Sequence, residues 1–199
     1  MQQPGEQPVE INWAYYPRWT RAVPLTLRVM TAFEEGAPQI DSSIYQLASN
    51  AVLAEVASGL LDAGFVVETG KKLEQKIRVP VLFSLNGRLE KSFETDAYHE
   101  QGGFVVEVEA GRAVASNQFL KDLFQACMMH HVRYLAIAVR NAYRGTNDFE
   151  RVLLFFDTLY ASDRLLLPLE VLTAREEALG EDQQRGPGGG LRGDKRGQS

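Results

Sequence analysis

A chain of 199 residues is long enough for one domain with a full hydrophobic core and short for two. Its 45% hydrophobic and 24% charged residues fall in the ordinary globular range, which excludes a fibrous or wholly disordered chain. The formal charge of −5 argues against a general polyanion binder, since affinity for phosphate backbones comes from many Lys and Arg contacts; a local basic surface, or a carboxylate cluster neutralised by cations, escapes that objection.

The polar start, Met1 to Gln7, has no apolar run behind it, and no stretch approaches the ~20 apolar residues of a membrane span. A cytoplasmic chain with no membrane contact is therefore expected. The single cysteine, Cys127, has no partner for a disulfide or a C-x-x-C site, and the three histidines lack H-E-x-x-H spacing, so zinc chemistry is not expected.

Trp13 to Trp19 is rich in aromatic residues and contains Arg18, with Arg21 and Arg28 beyond it. Such rings stack on nucleic-acid bases or, more often, pack an N-terminal arm onto a core. Residues 1–41 are read as that arm. From Ser42 or Ser43 to Asp62 the spacing predicts a helix, with Ser as N-cap and Gly64 just past its end. Stepping by three and four from Ile44 through Ala48, Ala51 and Val52 reaches Glu55, a carboxylate that either points inward or lies at the edge of that face and reaches water.

Residues 65–68 read as a short strand and 77–85 as a second. Asn86-Gly87, which adopts positive φ readily, turns the chain back through 88–98. Gly102-Gly103 then leads into Phe104-Val-Val-Glu-Val-Glu109, so the region reads as an antiparallel meander. Ser116 is expected to cap a helix running to about His130, with Phe119, Leu120, Leu123, Phe124 and Cys127 as its apolar stripe. Gln118, Lys121, Asp122 and Gln125 occupy the opposite face, and His130 and His131 mark the helix end.

The run Tyr134-Leu-Ala-Ile-Ala-Val139 has the unbroken apolar character of a central strand covered on both faces. Residues 148–161 are amphipathic, with Phe149, Val152, Leu153, Phe156 and Tyr160 on one side. Residues 165–172 are read as an edge strand because Pro168 interrupts them. Residues 42–180 thus form one α/β domain, and 181–199, rich in Gly and charge, a disordered tail.

The chemistry concentrates on one strand. Side chains alternate faces along a strand, so Glu107 and Glu109 share a face while Val106 and Val108 take the other. Two such carboxylates repel unless a cation or a shared proton relieves them. Antiparallel pairing across the preceding turn places Asp96 beside Glu107. Three converging carboxylates suit Mg²⁺ or Mn²⁺, whereas an exposed strand face that merely alternates Glu with Val has no such use.

This order of elements and acids resembles the PD-(D/E)XK nuclease superfamily of many restriction endonucleases, over residues 42–141. The resemblance implies an α/β fold: a restriction-endonuclease-like α-β-β-β-α-β core whose mixed central sheet is flanked by helices. Asp96 then looks like the motif aspartate, Glu107 like the acid of the (D/E)-x-K element, and Glu55 like the helical glutamate of some members, so Glu55, Asp96 and Glu107 form the implied metal set. Glu109 stands where the lysine is expected. Some similar restriction enzymes carry Glu there, and others bring a lysine from the following helix, for which Lys121 is the candidate.

Implied activity is Mg²⁺-dependent (or Mn²⁺-dependent) hydrolysis of DNA, with Glu109 or Lys121 orienting or deprotonating the attacking water. Lys121 reads otherwise as an ordinary solvated lysine, and Arg112 equally as a phosphate contact or a plain surface charge. A homodimer would provide two sites for two strands. The alternative is a nuclease-fold module without activity that serves in binding or assembly. A further alternative is an α/β protein outside that family, in which the Glu pair is a solvated strand face.

Overall fold

The computed structural model describes residues 9–42, 44–111, 113–114, 116–140, 142–143 and 146–178. The expectations for Arg112, for Ser43 and for the segment 181–199 lie outside them. Ten strands and four helices follow in chain order among the described residues: β1 (Val9–Tyr16), α1 (Pro24–Ile40), α2 (Ser49–Asp62), β2 (Val66–Val67), β3 (Ile77–Phe83), β4 (Leu89–Thr95), β5 (Ala97–His99), β6 (Phe104–Glu109), α3 (Gln118–Met128), β7 (Tyr134–Val139), β8 (Ala142–Tyr143), β9 (Thr146–Asn147), α4 (Asp148–Ser162) and β10 (Glu170–Ala178).

Six strands form the main sheet in the order β1-β10-β7-β6-β5-β2. The three inner strands β10, β7 and β6 run parallel, while β1, β5 and β2 join antiparallel. The unbroken apolar run is β7, central as its composition predicts. Helices cover both faces. Phe104, Val106 and Val108 of β6 point into a core built with α1 and α2. Val105, Leu135 and Ile137 point into a second core filled by Phe119 and Leu123 of α3 and by Phe149, Val152 and Phe156 of α4. The fold is a mixed α/β sandwich of helices around one sheet, and its main-sheet elements from α2 to β7 follow the order α-β-β-β-α-β.

Several local expectations are revised. The helix predicted from residue 42 begins at Ser49, because α1 runs to Ile40 and the chain needs the intervening residues to reverse onto it. Its end agrees with the sequence. Gly64 at φ +91° receives the chain, and the Gly64 and Phe65 N–H groups donate to the Leu61 and Leu60 carbonyls at 2.8 and 3.0 Å. Asn117 precedes α3 where Ser116 was expected, and α3 ends at Met128. Phe124 is 53% exposed, outside the apolar stripe assigned to it.

The meander also divides. Asn86 and Gly87 take positive φ (63° and 72°) as the hairpin requires, but β3 and β4 pair only with each other. At Asp96 the chain leaves this ribbon, and β5 enters the main sheet beside β2 and β6. Finally, Pro168 stands before the last strand and not within it, so β10 lies inside the sheet and β1 takes the edge.

Tyr15 and Tyr16 of the aromatic stretch are buried within the sheet strand β1, and Arg18 stacks over the Tyr16 ring at 4.6 Å while its Nε donates to Asp157 at 2.9 Å. Trp19, at 76% exposure, is left outside.

Close approach of α1 and α2 depends on Gly59. A Cβ there would lie 2.6 Å from the Ala32 Cβ and 2.7 Å from its Cα, where backbone has nowhere to go. Gly59→Ala should force the helices apart and cost about 1–3 kcal/mol, the usual penalty of overpacking, in a urea unfolding series. A variant as stable as the parent would show that the helices separate freely.

Candidate functional site

Alternation along β6 sends Glu107 and Glu109 to the face opposite Val106 and Val108, as the sequence predicts, and that face is the one α3 covers. Asp96 sits where β4 gives way to β5. Its carbonyl accepts the Glu68 N–H and its Oδ2 accepts the Val108 N–H, both at 2.8 Å. Ala97 pairs with Val106, so the next step along the ladder sets Asp96 against Glu107. The buried Thr95 hydroxyl donates to the Val106 carbonyl at 3.2 Å and holds this break in the strand in place.

The facing wall comes from α3. Gln118, Lys121, Asp122 and Gln125 lie at helical spacings of three and four, and all four line the same cleft of about 240 Å³ as the three acids. Asp122 is 4% exposed, and its Oδ1 accepts from Gln118 Nε2 at 3.2 Å. Its Oδ2 is buried with no hydrogen-bond donor. On the ribbon side, Lys76 Nζ donates to both Glu68 oxygens at 2.8 Å and stands 3.8 Å from Glu94. Acids lining the cleft thus outnumber its two lysines, Lys76 and Lys121.

Protonation follows from that imbalance. Glu107 opens to the cleft over a small part of its surface and has protein on nearly every other side. Burial first, then the Asp96 and Asp122 charges, hold it well above the usual carboxylate range. Burial pushes Asp96 up to about 6, against the Val108 N–H bond that pulls it down. Glu109 is pushed up to about 8 by burial, by the Asp122 charge and by its hydrogen-bonding contact with Asp122. Burial also raises Asp122, against the opposing charge of Lys121.

Of the residues read from the sequence, Asp96, Glu107, Glu109 and Lys121 come together. Glu55 does not. It is exposed on α2, whose buried residues Val52, Leu53 and Val56 pack on the other face of the sheet, so its assignment to the metal set is corrected. What α2 brings to the cleft is its first turn, Ser49 and Asn50, with Ser49 Oγ accepting the Ala110 N–H at 3.1 Å. Asp122, Glu68 and Lys76 were missed as site residues. The polar stripe of α3 was a usable signal for Asp122, while nothing local announced the Glu68 and Lys76 pair.

Among the described residues, no three His, Cys, Asp or Glu side chains stand in a ready geometry for a metal ion. The donor set still fits a hard cation. Mg²⁺ keeps several waters and needs one or two protein carboxylates, and Asp122, which also lines this cleft, has a buried oxygen with no hydrogen-bond partner. A second cleft of about 590 Å³ shares Ser49, Glu109 and Gln118 with the first and adds Arg140. No described helix is long and apolar enough to cross a membrane.

The chain matches no family model and no curated protein. Among solved structures, the crystal structure of free BglII is similar at 11% identity and a TM-score of 0.41, with 82% of this chain and 78% of that one covered. A likeness of that strength carries no argument about activity, which has to come from the site.

Proposed function

We propose that the chain is a Mg²⁺- or Mn²⁺-dependent DNA endonuclease of the restriction-enzyme type, working as a homodimer that presents two sites. The observation that carries this reading is the 2.8 Å bond from the Val108 N–H to Asp96 Oδ2, which holds Asp96 beside Glu107 at the mouth of an acidic cleft.

Asp96 and Glu107 would hold the cation. When bound, it would offset the charge that develops on phosphate oxygens as a phosphodiester is attacked. Glu109 would orient the attacking water and accept its proton, from its place beside Glu107 on the same face of β6. Lys121, exposed on the cleft rim, would pair with phosphate, and Arg140 in the adjoining cleft would meet the backbone further along.

The test is cleavage of plasmid and linear DNA in Mg²⁺ or Mn²⁺ by the parent, Asp96→Ala and Glu107→Ala, purified identically. The expected result is cutting by the parent and a loss of several kcal/mol of transition-state stabilisation in each variant, about 10³-fold or more in rate. Equal cutting by all three would overturn the reading. A parent that binds DNA but never cuts under either metal would favour a binding or assembly module on the same fold, a reading that Glu109 in place of lysine and the lack of a ready three-ligand geometry among the described residues keep in play.

A further inference from the structure

We propose that Asp122, on α3, is a ligand of the divalent cation through Oδ2, so that the ion is held between strand β6 and helix α3 and not by the strands alone. This rests on the metal-site reading of the cleft and extends it to a residue outside the acid pattern of β4 to β6.

Three observations converge on Asp122. Its side chain is 4% exposed, yet the part that shows lines the cleft that Asp96, Glu107 and Glu109 also line. One oxygen is fixed, since Oδ1 accepts from Gln118 Nε2 one turn earlier at 3.2 Å. The other, Oδ2, is buried and receives no donor. A buried carboxylate oxygen left unpaired is costly, so it marks a place that something else completes.

The chemistry of that missing partner follows from the neighbours. Asp122 meets the Glu109 carboxyl across the cleft, a contact between two acids that holds only with a proton or a cation present. In the metal-free cleft a proton on Glu109 relieves that repulsion; a cation that displaces the proton would meet Oδ2 and both carboxylate charges together. Of the protein's own cations at the cleft, Lys76 is engaged by Glu68 on the far wall, and Lys121 is exposed at the rim with Asp122 buried beneath it. A small hard ion with oxygen preference, Mg²⁺ or Mn²⁺, fits carboxylates of this kind and tolerates water for its remaining positions.

The test measures Mn²⁺ binding by titration calorimetry on the full chain, with no substrate, for the parent, Asp122→Asn and Asp96→Asn. Asn keeps the shape of Asp122 and its contact with Gln118 while removing the charge. Asp122→Asn is expected to weaken Mn²⁺ binding at least about tenfold, the lower end of what even an indirect neighbour of a metal costs. In EDTA the same variant should melt at or above the parent, which separates a lost ligand from a lost fold. Affinity within twofold of the parent in Asp122→Asn, with binding lost in Asp96→Asn, would overturn the role of Asp122 and leave the strand site standing. A parent that binds no Mn²⁺ would overturn both.

Discussion

In EDTA at pH 8, Glu107→Gln is expected to melt above the parent protein, and in Mg²⁺ it should lose cleavage. The two results have one cause. Glu107 is packed on nearly every side and held well above the usual carboxylate range by burial and by the charges of Asp96 and Asp122. Without a cation, ionising it works against both. An amide of the same shape removes the charge and keeps the packing, at the expense of the group proposed to bind the ion.

The pH dependence has a definite sign. A carboxyl whose folded pKa lies above its unfolded value, near 4, stabilises the fold fully below that value, and this contribution is lost as pH rises through the folded pKa. Asp96 at about 6 and Glu109 at about 8 therefore place the loss between roughly pH 4 and 8. The metal-free parent should melt progressively lower across that window, by about 2–4 °C for each kcal/mol lost. Glu107→Gln should give a shallower slope, and Mg²⁺ should restore the parent at the alkaline end. A melting temperature that stays flat or rises from pH 5 to 8, or a variant that melts lower at every pH, would show that the cleft carboxylates are already neutralised by other means.

Part of this site was legible in the sequence because its determinants are local. The period of two along a strand puts Glu107 and Glu109 on one face whatever the sheet around them does. The Asn86-Gly87 and Gly102-Gly103 turns fix a chain reversal, and with it the pairing that carries Asp96 to β6. Helical spacing alone sets Lys121 in line with Gln118 and Gln125.

Other features depend on partners far along the chain. That β10 lies inside the sheet is decided by β1, more than 150 residues earlier, whose Val9 pairs with Ala178. Residues near Pro168 carry no trace of that pairing. Glu55 shows the limit of periodicity: the stripe stepped from Ile44 to Glu55 is not the buried one, which runs through Val52, Leu53, Val56 and Leu60 and leaves Glu55 in solvent. Asp122 fails in the reverse sense. Next to Lys121 on a polar stripe it reads as a solvated acid, and only the strand it faces makes it a buried one.

Lys76→Met should be among the most destabilising single changes at the cleft, although Lys76 touches none of the acids proposed to bind the ion. Its ammonium donates 2.8 Å bonds to both oxygens of Glu68, whose side chain is only 4% exposed. Removing the lysine leaves a buried charge with no counterpart, a loss of about 3–5 kcal/mol where such pairs have been broken. The double variant Lys76→Met, Glu68→Met removes the orphaned charge as well and should recover most of the loss, because the pair matters less than the penalty for breaking it. Urea unfolding of the two single variants and the double variant measures this coupling directly.

Cation binding should move the other way. Lys76 is a positive charge in the field of Asp96, so its removal makes the cleft more acidic and should leave Mn²⁺ affinity equal or tighter while the fold weakens. A Lys76→Met variant that unfolds within about 0.5 kcal/mol of the parent would remove the structural role. If that variant also loses cleavage with its fold and Mn²⁺ affinity intact, Lys76 takes the place at the reacting phosphate that Lys121 holds in the proposed site.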